Sequence, residues 1–139
     1  MATTAQTTAV QGTSSRTFLQ VSIALQTLTL FFQASTAGLL LTSSQGEVLH
    51  SVGARVMYGA TMLYVLAAIL AWKPGGGSPR PILYSTGFLV LASVQVVLGV
   101  THKPALHVPL GVLMFGLSVL ALGQILNARR QERSRTRGL

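Results

Sequence analysis

Two histidines stand in matching sequence settings, 57 positions apart. Residues 49–63 align without gaps on residues 106–120, and the Leu, His, Met, Gly and Leu of each copy fall at the same spacing around His50 and His107. Imidazole is the commonest protein ligand for metals, and two imidazoles on facing helices of a bundle can bind one metal from opposite sides. A structural zinc needs four ligands, and only one further histidine and one glutamate are close in sequence. The pattern therefore favours haem iron, to which the porphyrin gives the remaining donors.

Four apolar segments must position these histidines. Only 9% of the 139 residues are charged, whereas soluble domains carry about 25%. Each segment is close to the roughly 20 residues that span a hydrocarbon core. The segments are Phe18–Leu41, Val48–Trp72, Pro81–Val100 and Leu106–Asn127. We therefore predict an all-α fold, a four-helix transmembrane bundle built from two duplicated helical hairpins.

The charge distribution predicts the topology. Eight of the ten basic residues lie before the first segment, between the second and third, or after the fourth. The positive-inside rule then places both termini in the cytoplasm of a bacterial-type plasma membrane, with the histidine-bearing ends outside. We predict a disordered N-terminal tail at 1–16, the transmembrane domain at 17–128, and a basic cytoplasmic tail at 129–139.

Composition also excludes several classes of partner and site. The chain contains no cysteine, which excludes disulfides, thiolate ligands and iron–sulfur clusters. The basic C-terminal tail directly follows a membrane segment and suits anionic lipid headgroups. No nucleic-acid-binding fold or aromatic interleaving accompanies it, so we expect no nucleic-acid partner.

Small residues lie near both histidines. Gly53 and Gly111 follow them by about one helical turn, and a flat porphyrin needs helix surfaces with little side chain beside the iron. Gly38 and Gly99 are expected to leave the other two helices without a side chain at the same depth in the membrane. Close packing of ordinary membrane helices also favours small residues, so both interpretations stay open for these four glycines.

The charged residues near the histidines each have two interpretations. Arg55 lies well inside a segment, where it can snorkel, pair with Glu47, or bind a haem propionate bidentately. Glu47 stands three residues before His50. It is either an acid that favours the positive end of the helix dipole, or a catalytic carboxylate that moves a proton or orients the histidine. His102 lies in an outer loop and is expected to be exposed.

Gln33 and Gln95 occupy matching positions ahead of the two histidines, and we expect them to hydrogen-bond across the bundle or to face a haem or a quinone. With them, the order of residues resembles one four-helix half of the haem A synthase family. The resemblance runs through Gln33-x-x-x-x-Gly38, Glu47-x-x-His50, Gln95-x-x-x-Gly99-x-Thr101 and His107.

The resemblance covers about residues 17–127 and implies roles for three of them. Members of that family look like two fused four-helix bundles with haem-ligating histidines on the second and fourth helices. It implies His50 and His107 as axial ligands, and Glu47 as the acid associated with oxidation of a haem methyl group. Ser51 stands where the family tends to have arginine, and the chain carries one bundle. The resemblance therefore implies a small haem b protein rather than the full synthase.

Three functions follow from these residues. The leading hypothesis is an integral membrane haem-binding protein, with bis-histidine haem b, for electron transfer or haem handling. The second is a cofactor-free membrane subunit, scaffold or small transport component, in which the histidines pack or respond to pH. The third is a haem-modifying or quinone-reactive oxidoreductase that uses Glu47. The expected partners are the lipid bilayer, a redox partner protein or quinone, and a second copy of the chain in a homodimer.

Overall fold

Four long α-helices make up the chain. This computed structural model describes the backbone of residues 2–138 and the side chains of residues 14–131 and 134–138. The helices are α1 (Ala2–Leu39), α2 (Gln45–Trp72), α3 (Arg80–Val100) and α4 (Pro104–Arg137). Each is long and apolar enough to cross a membrane, and no strand occurs in the described part of the chain. The predicted all-α, four-helix transmembrane architecture is confirmed.

Two helices extend beyond the predicted apolar segments. The sequence predicts a disordered tail at 1–16, whereas α1 begins at Ala2, and the membrane-spanning part of α1 is Ser14–Leu39. No proline interrupts this stretch, so a helix that is already formed by the packed segment can propagate backwards. At the other end, α4 runs on to Arg137. Its basic residues suit the negative end of the helix dipole, and Gly138 follows the last turn.

Short connections join the helices into antiparallel neighbours. The second connection turns at Gly76, whose φ of +69° lies in the left-handed region that glycine adopts without strain. Pro81 and Pro104 occupy the first turns of α3 and α4, where a missing backbone N–H leaves no hydrogen bond unmade. His102, in the third connection, also has a positive φ, of 52°.

The helices pack in a ring. Each helix contacts the next in chain order, and α4 returns to contact α1, with the most extensive packing between α1 and α2. Consequently α2 and α4 lie diagonally across the bundle, and among the described residues no Cα pair of these two helices is within 8 Å. Side chains that meet from α2 and α4 must therefore meet in the centre of the bundle.

The two ends of the bundle core differ in composition. Near the basic ends of the helices, Ile23, Ala67 and Ala68 are almost fully buried and the rings of Tyr64 and Phe88 lie 6.5 Å apart, with the buried hydroxyls of Ser22 and Ser85 beside them. The opposite end holds His50 and His107, with Gln33 and Gln95 next to them. Large apolar side chains cover the outer surface, as expected of helices that face lipid.

Candidate functional site

His50 lies in the second turn of α2 and is held by α1. Its Nδ1 is 3.1 Å from the hydroxyl oxygen of Thr36, and its backbone carbonyl accepts a hydrogen bond of 3.1 Å from Nε2 of Gln33. The same face of α2 continues through Gly53 and Met57, which are both buried. Helical periodicity therefore directs the imidazole toward the interior of the bundle.

His107 lies in the first turn of α4 and is held by α3. Its Nδ1 donates to the backbone carbonyl of Gln95 at 3.1 Å. A Cβ at Gly99 would lie 3.3 Å from Cε1 of the ring, which is closer than most such contacts, so the glycine lets the imidazole lie against α3. Met114 and Ser118, seven and eleven residues further along this face, are almost fully buried.

The two imidazoles meet in the centre of the bundle. Their ring centroids are 6.1 Å apart, and their planes are inclined by 68°. Both residues are half-buried, and they come from the diagonal helices α2 and α4. The structure therefore brings together the two histidines that the sequence repeat singles out.

A backbone carbonyl can only accept, so Nδ1 of His107 must be the protonated nitrogen of that ring. At His50, the Thr36 hydroxyl is 3.1 Å from both Nδ1 and the carbonyl of Gln33. When the hydroxyl donates to the carbonyl, its oxygen accepts from Nδ1–H of His50. Each Nε2 then carries a lone pair, and neither Nε2 has a hydrogen-bond partner among the described side chains. Neutral imidazoles with Nδ1–H engaged are the form in which histidine binds metals.

The donor set fits a metal that already has other ligands. No group of three or more His, Cys, Asp or Glu that could hold a metal occurs in the described residues, so the pair offers two protein ligands. Metal–imidazole bonds are about 2.0–2.1 Å. A metal held by both Nε2 atoms would keep the ring centroids within about 6.5 Å of each other, and they lie 6.1 Å apart. His50 and His107 are the residues that would hold a haem iron, to which the porphyrin gives the remaining donors.

The predicted glycines fall into two groups. A Cβ at Gly53 would lie 2.8 Å from Nε2 of Gln33, and one at Gly111 would lie 2.8 Å from Nε2 of Gln95. With Gly99, these glycines give room to the residues around the histidines. Gly38 is exposed, and nothing lies within 4 Å of the position where its Cβ would be.

Both glutamines next to the histidines have polar atoms in need of partners. Oε1 of Gln33 and Oε1 of Gln95 are buried with no hydrogen-bond partner in the described region. Buried polar atoms normally find a partner. Their positions beside the histidine pair are consistent with a site that receives a further group.

The predicted charged residues lie on the exposed surface of α2. Glu47 stands in the first turn of α2 and Arg55 two turns later, and both side chains are exposed. Neither forms a hydrogen bond or an ion pair within the described part of the chain. His102 is exposed in the connection between α3 and α4, as expected.

Thr36 is a site residue that the sequence analysis missed. It is 1% exposed and contacts His50 directly. It follows Gln33 by three residues, so the two share a helix face. That spacing was a usable signal, because Gln33 was already expected to face the interior.

Similarity to other proteins gives no independent indication of function. Comparisons with protein-family models, with curated proteins and with solved structures find no match.

Proposed function

We propose that this chain is an integral membrane protein that binds one haem b between His50 and His107, and that it serves electron transfer or haem handling. The observation that carries the proposal is the histidine pair. Its ring centroids lie 6.1 Å apart on diagonal helices, and each Nδ1 is engaged by a neighbouring helix. When bound, haem b supplies an iron that exchanges single electrons.

Hydrogen bonds to neighbouring helices would hold both imidazoles in place for the metal. Because each ring is already oriented, little conformational entropy would be lost when the metal binds. His50 and His107 would together hold the iron, and a haem bound by both would offer no position for a substrate at the metal. This arrangement favours electron transfer or haem storage over reaction of a substrate at the metal.

The basic residues support an orientation for the site. The charge distribution favours both termini on the cytoplasmic side of a bacterial-type plasma membrane, with the histidine pair toward the outer face. At the basic end, Arg129 donates a hydrogen bond of 3.1 Å to Thr17.

Because the chain has no cysteine, a single introduced cysteine reports on which side of the membrane its position lies. An impermeant maleimide should label His102→Cys in intact cells and Gln131→Cys only after lysis, and the reverse pattern would contradict this orientation.

The haem proposal is tested by absorbance of the detergent-purified protein, oxidised and reduced. The wild type should give the spectrum of low-spin, six-coordinate iron. His50→Ala and His107→Ala should each lose haem or convert it to the high-spin form. His102→Asn is the matched control, because asparagine tolerates the positive φ at this position, and it should leave the spectrum unchanged.

Two results would contradict the haem proposal. One is a protein that stays colourless after haem is added. The other is a haem spectrum that neither His50→Ala nor His107→Ala alters. Circular dichroism and gel filtration of each variant, which should match the wild type, separate loss of a ligand from loss of the fold.

A further inference from the structure

Thr36 occupies an unusual place on α1. Its side chain is 1% exposed although it lies near the end of the helix. Its hydroxyl is 3.1 Å from the carbonyl oxygen of Gln33 and 3.1 Å from Nδ1 of His50. One hydroxyl therefore connects the backbone of α1 to a ring on α2.

The connection is closed by a second hydrogen bond. Gln33 donates from Nε2 to the backbone carbonyl of His50 at 3.1 Å. Three residues thus form a loop of hydrogen bonds, from the His50 ring to Thr36, to the carbonyl of Gln33, and from the Gln33 side chain back to His50. A Cβ at Gly53 would intrude on this loop, since it would lie 2.8 Å from Nε2 of Gln33.

The chemistry of the loop links the directions of its hydrogen bonds. The Gln33 carbonyl can only accept, so its hydrogen bond with Thr36 uses the only proton of that hydroxyl. All contacts are satisfied together only when His50 carries its proton on Nδ1. Loss of the hydroxyl oxygen would leave a buried Nδ1–H without an acceptor, which is unfavourable.

We propose that Thr36 is a positioning residue of the haem site. Its hydroxyl oxygen accepts the Nδ1 proton of His50, fixes the tautomer that presents Nε2 to the metal, and strengthens that nitrogen as a ligand. The inference deepens the haem function proposed above and rests on it. A hydrogen-bond acceptor at Nδ1–H raises the basicity of a metal-binding histidine, and loss of such a partner typically weakens metal affinity about 10–100-fold.

The other histidine has no replaceable partner of this kind. Nδ1 of His107 donates to a backbone carbonyl, that of Gln95, which no substitution removes. Substitution of one side chain, Thr36, can therefore change the basicity of His50 as a ligand, whereas the hydrogen bond of His107 is fixed by the backbone. Because of this asymmetry, Thr36 is the residue that sets the midpoint potential of the bound haem.

The first test uses the haem-free full-length protein. Ring ¹⁵N NMR of histidine-labelled protein in micelles reports which nitrogen of His50 carries the proton. The wild type and Thr36→Ser should show Nδ1–H, while Thr36→Val should lose it. Persistence of the Nδ1–H signal in Thr36→Val would overturn the inference, whether or not the protein binds haem.

The second test uses the haem-loaded protein. Thr36→Val should raise the midpoint potential, because a less basic ligand stabilises the oxidised iron less, and should weaken haem binding about ten-fold. Thr36→Ser should restore both values. The matched control is Thr29→Val, since Thr29 is a second buried threonine of α1 whose hydroxyl donates to the carbonyl of Gln26 and contacts no histidine.

The outcomes separate this inference from the proposed function. An unchanged potential in Thr36→Val, with the six-coordinate spectrum intact, overturns the role of Thr36 and leaves the haem site standing. Equal shifts in Thr36→Val and Thr29→Val also overturn it, because they indicate a general packing effect. A colourless wild type contradicts the proposed function, and the ¹⁵N measurement then decides the tautomer by itself.

Discussion

The two hairpins support equivalent histidines by different means. In α1–α2 the ring contacts a side-chain hydroxyl, that of Thr36, while in α3–α4 it contacts the backbone carbonyl of Gln95. A glutamine lies against a glycine in both hairpins, but only Gln33 also donates to the backbone of its histidine. The repeat therefore preserves the position of the ring but not its support, and side-chain substitutions should affect the first hairpin more than the second.

The hairpins also differ in how closely their helices approach. A Cβ at Gly46 would lie 2.5 Å from the carbonyl carbon and oxygen of Leu39, so the start of α2 touches the end of α1 backbone to backbone. The equivalent position in the second copy is Lys103, an exposed residue just before α4. At this end the first hairpin therefore has a backbone-to-backbone contact that requires glycine, whereas the second has lysine at the equivalent position.

The largest expected effect on stability is at the contact between Gly46 and the backbone of Leu39. Gly46→Ala should destabilise the protein by about 3 kcal/mol, because backbone atoms cannot move aside for the new methyl group. The measurement is the free energy of unfolding by titration with sodium dodecyl sulfate in mixed micelles. Gly59→Ala is the matched control on α2, since nothing lies within 4 Å of its Cβ position, and it should stabilise by about 0.5–1 kcal/mol. Equal effects of the two substitutions on the free energy of unfolding would show that the contact between Gly46 and Leu39 does not contribute to stability.

A second contrast lies seven residues before the matching glutamines. On α1 this position is Gln26, 1% exposed, with neither side-chain polar atom hydrogen-bonded among the described residues. On α3 it is Phe88, whose ring packs on Tyr64. Gln26→Leu should raise the free energy of unfolding by about 2 kcal/mol, because an apolar side chain removes two unsatisfied buried groups. The exposed Gln124→Leu is the control, with an expected change within about 0.5 kcal/mol.

A loss of stability in Gln26→Leu would lead to a different conclusion about the amide. If Gln26→Leu lowers the stability, the amide must have hydrogen-bond partners in the folded protein. Buried water is the partner that polar groups in protein interiors commonly use. The contrast between Gln26 on α1 and Phe88 on α3 would then mean that the first hairpin holds buried water rather than unsatisfied polar groups.

The next prediction compares the two glycines beneath the histidines. Gly53→Ala should lower the free energy of unfolding by about 1 kcal/mol, because its methyl group displaces the Gln33 amide from the His50 carbonyl. Gly111→Ala displaces the Gln95 amide, which makes no hydrogen bond among the described groups, so it should be neutral or slightly stabilising. Unfolding titrations of both variants measure the difference, and a larger loss in Gly111→Ala would reverse the comparison.

The sequence predicts more of the fold than of the site. Apolar length and low charge are sufficient to predict four membrane helices, because the bilayer demands them. The matching settings of His50 and His107 also predict that both rings face inward, and the structure brings them together. Their helices being diagonal does not follow from the repeat, since it depends on how all four helices pack.

Other features of the site depend on contacts that no single-sequence pattern encodes. The spacing from Gln33 puts Thr36 on the inward face of α1, but its contact with His50 depends on how α1 and α2 pack. The support of His107 by a carbonyl is invisible in sequence, because every residue has a carbonyl. The extension of α1 to Ala2 was not predicted either, since the low hydrophobicity of this stretch says little about whether a helix stops.

The smallest expected effect concerns the contacts between the hairpins. Thr27 and Ser118 join α1 to α4 through hydroxyl oxygens 2.6 Å apart, and Tyr58 and Ser93 join α2 to α3 at 3.1 Å. Double-mutant cycles should give coupling energies of about 0.6 kcal/mol for each pair, the average for polar pairs between membrane helices. Thr27→Val with Ser118→Ala, and Tyr58→Phe with Ser93→Ala, complete the two cycles.

The two cycles also decide whether the hairpins are joined evenly. Thr27 also lies within hydrogen-bond distance of the carbonyl of Ile23, and Ser93 of the carbonyl of Leu89, so either hydroxyl of each pair can be the donor. Equal couplings would mean that the hairpins meet as equivalent halves on both sides of the histidine pair. A coupling confined to Thr27 and Ser118 would mean that α1 organises the bundle, since it would then hold α4 as well as α2, and the support of His107 would depend on the first hairpin after all.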